Sequence, residues 1–143
     1  MSVMKSFKGK LADGEQEEIS LSTNNGLTGY EITKFQVMPT DANIDVESVV
    51  KIYSVQETTV TDQIDFSEST LLAASIIRAG SGVAQPLTVT TIFDNIKFNQ
   101  DIFVTLKNSS YTAEINYYIE MKQSDLSLDE QTVATLKNIR NSN

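Results

Sequence analysis

From Asp101 to Met121 the apolar residues fall on every second position, and this period constrains the fold more than any other feature of the chain. Ile102, Val104 and Leu106 alternate with Phe103 and Thr105. Beyond Asn108-Ser-Ser-Tyr111, the residues Ile115, Tyr117, Ile119 and Met121 alternate with Asn116, Tyr118 and Glu120. A period of two puts each apolar set on one face of a strand. The link between them is small and polar, as turns are. The pattern predicts a β-hairpin with one face in a core.

The rest of the chain repeats this grammar in shorter pieces. Ser2–Lys10 alternates weakly. Asp13-Gly14 is a strong hairpin signal, and Glu17–Leu21 reads as the short return strand, with Ile19 and Leu21 inward. Asn25-Gly26 marks another turn. In Leu27–Met38 the apolar parity changes: Tyr30 and Ile32 share one phase, Phe35 and Val37 the other. A bulge near Thr33-Lys34 brings both pairs to one core. Val46–Val55 is apolar on both parities, with Val50 and Ile52 on one face and Val49, Tyr53 and Val55 on the other. Both faces of such a strand are expected to be partly covered, the outer one by a loop or by a neighbouring chain. Gln56–Asp62 is polar and reads as a loop or an edge strand.

Thr70–Arg78 is short, ends in Ile76-Ile77 and is closed by Gly80-Ser-Gly, which favours a strand over a helix. Leu87–Phe93 is a further strand. The end of the chain differs. Ser127-Leu-Asp-Glu130 matches a capping box, and Val133, Leu136 and Ile139 recur at helical spacing, predicting a helix over 128–140. Eight short strands followed by one helix specify an all-β fold. It is an antiparallel β-sandwich of jelly-roll type over 1–126, with residues 127–143 as the C-terminal helix and tail of the same domain.

Composition narrows the chemistry. The 143 residues suit one domain. Cys and His are both absent, which excludes disulfides, thiolate metal sites and the usual general base. The net charge is −8, Arg occurs only at Arg78 and Arg140, and no run of basic residues is present, so a nucleic-acid partner is not expected. No apolar run approaches a membrane span, and Met1–Lys10 lacks the apolar core of a secretory signal, so a soluble chain with no membrane partner is expected.

Two acidic pairs, Asp62/Asp65 and Asp41/Asp45, have oxygen ligands to offer Ca²⁺, but neither has the spacing of an EF-hand loop, and solvated loop carboxylates are the preferred reading. A paired-carboxylate glycosidase would want aromatic sugar platforms, and the chain has no Trp. No catalytic residue, metal or cofactor is therefore expected. Tyr117 and Tyr118 face opposite sides of one strand, so one is core and the other is expected on an outer surface with Tyr53, where the two readings are a protein contact and an ordinary cross-strand pair. Tyr53, Tyr118, Val133, Leu136 and Ile139 are the candidate protein-interface residues.

Four stretches carry a resemblance: Leu21-Ser-Thr-Asn-Asn-Gly-Leu-Thr-Gly-Tyr30, Phe98-Asn-Gln-Asp-Ile-Phe-Val-Thr105, Asn116-Tyr-Tyr-Ile-Glu120 and Leu126-Ser-Leu-Asp-Glu-Gln-Thr-Val-Ala-Thr-Leu136. Together they resemble a small family of virion structural proteins of marine tailed bacteriophages, over about Met4 to Arg140. They are turn, strand and cap residues, so the resemblance implies a shared fold and supplies no catalytic residue. It implies a capsid decoration or cement protein on the exterior of the shell, made in the host cytoplasm. Its partners would be the major capsid protein or other virion proteins, and it would form a homo-oligomer, with a trimer as one arrangement. A tail, adaptor or fibre component is the alternative within the virion, and a carbohydrate-binding β-sandwich the alternative outside it.

The C-terminal helix yields the first prediction. A helix of this length is marginal alone in water, so its stripe of Val133, Leu136 and Ile139 needs a cover. Ending the chain at Ser127 should lower the melting temperature of the monomer, followed by circular dichroism. An unchanged temperature with lost assembly would instead put the stripe against a neighbouring subunit.

Overall fold

A computed structural model describes residues 3–21, 27–41, 44–80 and 88–126. Eight strands fill it: β1 Val3–Leu11, β2 Gln16–Ile19, β3 Thr28–Pro39, β4 Val46–Tyr53, β5 Leu71–Ala79, β6 Thr88–Phe93, β7 Ile102–Ser110 and β8 Ile115–Asp125. They form two antiparallel sheets, one ordered β1-β8-β3 and the other β2-β7-β4-β5-β6. The predicted helix over 128–140 lies outside the described residues.

The inward rows are those the alternation marks. Ile102, Val104 and Leu106 of β7 and Ile115, Tyr117, Ile119 and Met121 of β8 are all buried in one core. Across the three-stranded sheet, Phe7, Ile119 and Phe35 stand in one row. The bulge falls between Ile32 and Lys34, where the β3–β8 register shifts, and Tyr30, Ile32, Phe35 and Val37 are all buried. One extra residue resets the parity of the strand, so both pairs meet the same core.

The 101–121 hairpin is a correction. β7 and β8 do not pair: β7 lies between β2 and β4, and β8 between β1 and β3. The link over Tyr111 is an arch from one sheet to the other. Tyr111 takes a left-handed φ of 71°. The buried Asn108 holds the arch, donating from Nδ2 to the Ala113 carbonyl at 3.1 Å and accepting from the Ser48 hydroxyl. The hairpin expected at Asp13-Gly14 is corrected in the same way: β1 and β2 lie in different sheets, and Asp13-Gly14 makes a second arch between them. Gly14 has φ 81°, its amide donates to the Leu106 carbonyl at 2.8 Å, and Asp13 accepts from the Asn108 amide at 2.8 Å. The physical reason is general. Alternation fixes which face of a strand is buried, and that face is buried equally well by a hairpin or by two strands in apposed sheets.

The connectivity contains a Greek key. β4, β5 and β6 meander, and the chain then returns so that β7 lies beside β4. On its way it forms an isolated bridge between Phe98 and Tyr30, whose rings stack at 6.2 Å.

Ile119 is fully buried at the centre of β8 between Phe7 and Phe35. Ile119→Ala should cost about 2–5 kcal/mol. Urea denaturation would register this as a lower midpoint at constant slope, and an unchanged midpoint would remove Ile119 from the core.

Candidate functional site

Each sheet has an outer face, and the two differ in chemistry. On the three-stranded sheet the outward rows run Lys8–Tyr118–Gln36 and Lys10–Asn116–Met38, with Lys34 opposite Glu120 and Glu31 opposite Lys122 further along. Tyr118 is half-buried, and Met38 is 58 % exposed. Around them lies an open groove of about 540 Å³, edged by Lys8, Lys10 and Gln36. Four lysines meet two glutamates on these strands, and Lys10 also pairs with Glu114 at 3.7 Å, so this face is weakly positive within a chain of net charge −8. Sequence reasoning missed the cluster because Lys8 and Lys10, Lys34 and Lys122 sit on three strands far apart in the chain. Only their shared outward parity hinted at it.

The opposite ring of the pair, Tyr117, points inward. Its hydroxyl donates to the Glu17 carboxylate on β2, which ties the two sheets together at one side. Burial raises its pKa, with Glu17 adding to the shift. The ring lies against Gly9 of β1, where a Cβ would come within 2.7 Å of the hydroxyl oxygen, so a side chain there would displace it.

The outer face of the five-stranded sheet is covered in part by residues 54–70. This explains why β4 is apolar on both parities: Val49, Lys51 and Tyr53 point outward, yet all are buried. The cover is held by polar tethers. The Lys51 ammonium, 1 % exposed, donates to the Gln63 carbonyl at 2.6 Å and to the Thr61 hydroxyl at 3.2 Å, and lies 5.3 Å from the Tyr53 ring centroid. The Gln16 side-chain amide closes a pair of bonds with the Glu57 backbone, donating to its carbonyl at 3.0 Å and accepting from its N–H at 2.8 Å. Burial pushes the Lys51 pKa down, against the pull of Glu68, Glu57 and Asp62. Burial pushes the Glu57 pKa up, and Glu68 adds to the rise by charge and by a hydrogen bond. With the Lys51 ammonium sealed from solvent and engaged by its tethers, the cluster is built to fasten a loop.

The structure separates the two tyrosines of the candidate interface. Tyr53 is 4 % exposed beneath the 54–70 cover on one sheet, whereas Tyr118 lines the groove on the other, so they share no surface. Both do point away from the core, as their parity requires, but their strands belong to different sheets. Val133, Leu136 and Ile139 lie outside the described residues.

The acidic pairs also take definite places. Asp65 accepts from the Ser67 amide at 2.9 Å and the Ser67 hydroxyl at 2.6 Å, and these bonds lower its pKa. Asp62 accepts from the neighbouring Gln63 amide at 3.3 Å. Asp41 and Asp45 border an open depression with Tyr111 and Glu114.

A third feature was not foreseen. Phe66, at the turn Asp65-Phe66-Ser67-Glu68, is 69 % exposed, and with Ile92, 50 % exposed, it borders a groove of about 280 Å³ over Leu71 and Ala74. Residues 54–70 carry Glu57, Asp62, Asp65 and Glu68 and no Lys or Arg.

No family model matches the chain, and no curated protein is similar to it in sequence. Two solved structures are loosely similar. One is a chain from Bacillus endospore appendages, a family of disulfide-linked pili: 11 % identical, TM-score 0.40, covering 88 % of this chain and 89 % of that one. The other is a chain from maize chlorotic mottle virus: 6 % identical, TM-score 0.35, covering 88 % of this chain and 95 % of that one. Likeness at this level says nothing about function.

The Glu57 shift sets a pH dependence. In the folded chain Glu57 keeps its proton to a higher pH than its ordinary 4.5. Between those two values the folded state binds more protons than the unfolded state, so stability falls as pH rises. Glu57→Gln should flatten that fall, as read by melting temperature from about pH 4 to 7. A profile identical to that of the unsubstituted chain would mean that Glu57 is not perturbed.

Proposed function

We propose that the chain is a non-enzymatic structural protein of a tailed-phage virion, acting as a decoration or cement protein on the exterior of the capsid. The observation that carries this reading is the chemistry of the outer faces. Two sheets, braced by a shared core and by the Tyr117–Glu17 link, present large apolar side chains outward on both sides: Tyr118 and Met38 on one, Phe66 and Ile92 on the other. Apolar and aromatic residues grouped on an outer face, rimmed by polar ones, suit contact with other proteins. The resemblance drawn from the sequence over about Met4 to Arg140 supports a virion setting for this reading. In that setting the major capsid protein is the natural partner, and the protein's work is to bridge capsid subunits.

The test is position and copy number. Cryo-electron microscopy of particles from the source of this sequence should find hundreds of copies on the outer surface of the shell. Tens of copies at the tail would make the chain a tail, adaptor or fibre part. Its absence from the particle would end the virion reading.

A further inference from the structure

We propose that the two outer faces are halves of one contact, with the Phe66 turn of one copy seated in the Tyr118 groove of the next. This rests on the reading of the chain as a protein that works through protein contacts. One half projects an aromatic ring from an acidic segment, and the other is an open groove with an apolar lining and lysines at its edge. Phe66 projects from a turn already fixed by the two bonds from Ser67 to Asp65 and by the Glu68 amide donating to the Asp65 carbonyl at 3.1 Å. A side chain held in this way loses little freedom on docking. Asp65 precedes it in the turn and Glu68 closes the turn, with Asp62 four residues before it in an acidic segment. The groove offers the complement, Tyr118 and Met38 as apolar floor and wall with Lys8 and Lys10 at the edge.

Charge also argues for a second copy of this chain as the occupant. A protein of net charge −8 repels its own kind in most orientations. The lysine-bearing sheet face is where that repulsion is weakest, with Lys8 at the groove edge beside the Lys10–Glu114 pair, and the acidic 54–70 cover of another copy is what it attracts.

The geometry sets the kind of assembly. The turn and the groove lie on opposite outer faces of the sandwich, so a copy cannot return the contact it receives. The interface is heterologous, and it propagates head to tail into a ring or a filament in place of a two-fold dimer.

The experiment uses the full chain, whose lack of Cys makes single-cysteine probes clean. Oxidising a mixture of Ser69→Cys and Gln36→Cys proteins, which keep Phe66, Tyr118 and Met38, should give a one-to-one disulfide product, faster than Ser69→Cys mixed with Thr59→Cys. By sedimentation, the unsubstituted protein should form species beyond the dimer and lose affinity about tenfold between low and high salt. Phe66→Ser and Tyr118→Ser should each weaken association about tenfold or more alone. Mixed together they should stop at a dimer, because one retains the groove and the other the turn.

Three outcomes overturn the proposal: a protein that stays monomeric, cross-linking no faster than in the control pair, or association indifferent to both serine substitutions. None of these bears on where the protein sits in a particle, so this inference and the virion reading fail separately.

Discussion

The three-stranded sheet holds no two strands that are adjacent in the chain, and the rest of the structure depends on that. β8 is its centre, and its partners are β1, which pairs Val3 with Gln123, and β3, which pairs Thr28 with Asp125. Its hydrogen bonds therefore form only when distant parts of the chain have met. What brings them together is burial. Ile115, Tyr117, Ile119 and Met121 find cover in the core shared by the two sheets. The sheet's hydrogen bonding is thus secondary to the apposition of two apolar faces. Non-local pairing of this sort carries a large loop-closure cost and slows folding. The β4-β5-β6 meander is the local part of the fold, and the later strands can assemble on it.

The second dependency runs outward. The five-stranded sheet is too apolar on its outer side to stand uncovered, and residues 54–70 supply the cover. Polar bonds fasten it: Lys51 to Gln63 and Thr61, and Gln16 to the Glu57 backbone. A buried ammonium is costly unless its protons find acceptors. Here it has two acceptors, an aromatic face and three carboxylates within electrostatic reach. The same fastening fixes Phe66 in its outward position.

Much of this was legible in the residue order. Alternation located the strands, the parity change in β3 placed its bulge within a residue, and the double-sided apolarity of β4 required an outer cover. The partners of each strand were not legible, because period two is silent about which strand lies alongside. Two consequences follow from that one gap. The polar link at Asn108–Tyr111 read as a hairpin and is an arch between sheets. Tyr53 and Tyr118, both outward, read as one surface and lie on two. The lysine-bearing face was hidden for the same reason, since Lys8, Lys34 and Lys122 become neighbours only once β1, β8 and β3 are set side by side. Phe66 carried no periodic signal, being a single aromatic in a polar loop.

The antiparallel pairing of Val3 with Gln123 puts the start of β1 and the end of β8 at the same edge of the molecule. Tension applied between those two points would run along the ladder's hydrogen bonds, which lie perpendicular to the strands, and would open them one after another like a zip. Force applied through the sheet faces meets the packed core as a whole. The sandwich is therefore mechanically anisotropic: weak when pulled by its ends and stiff when squeezed or sheared between neighbours.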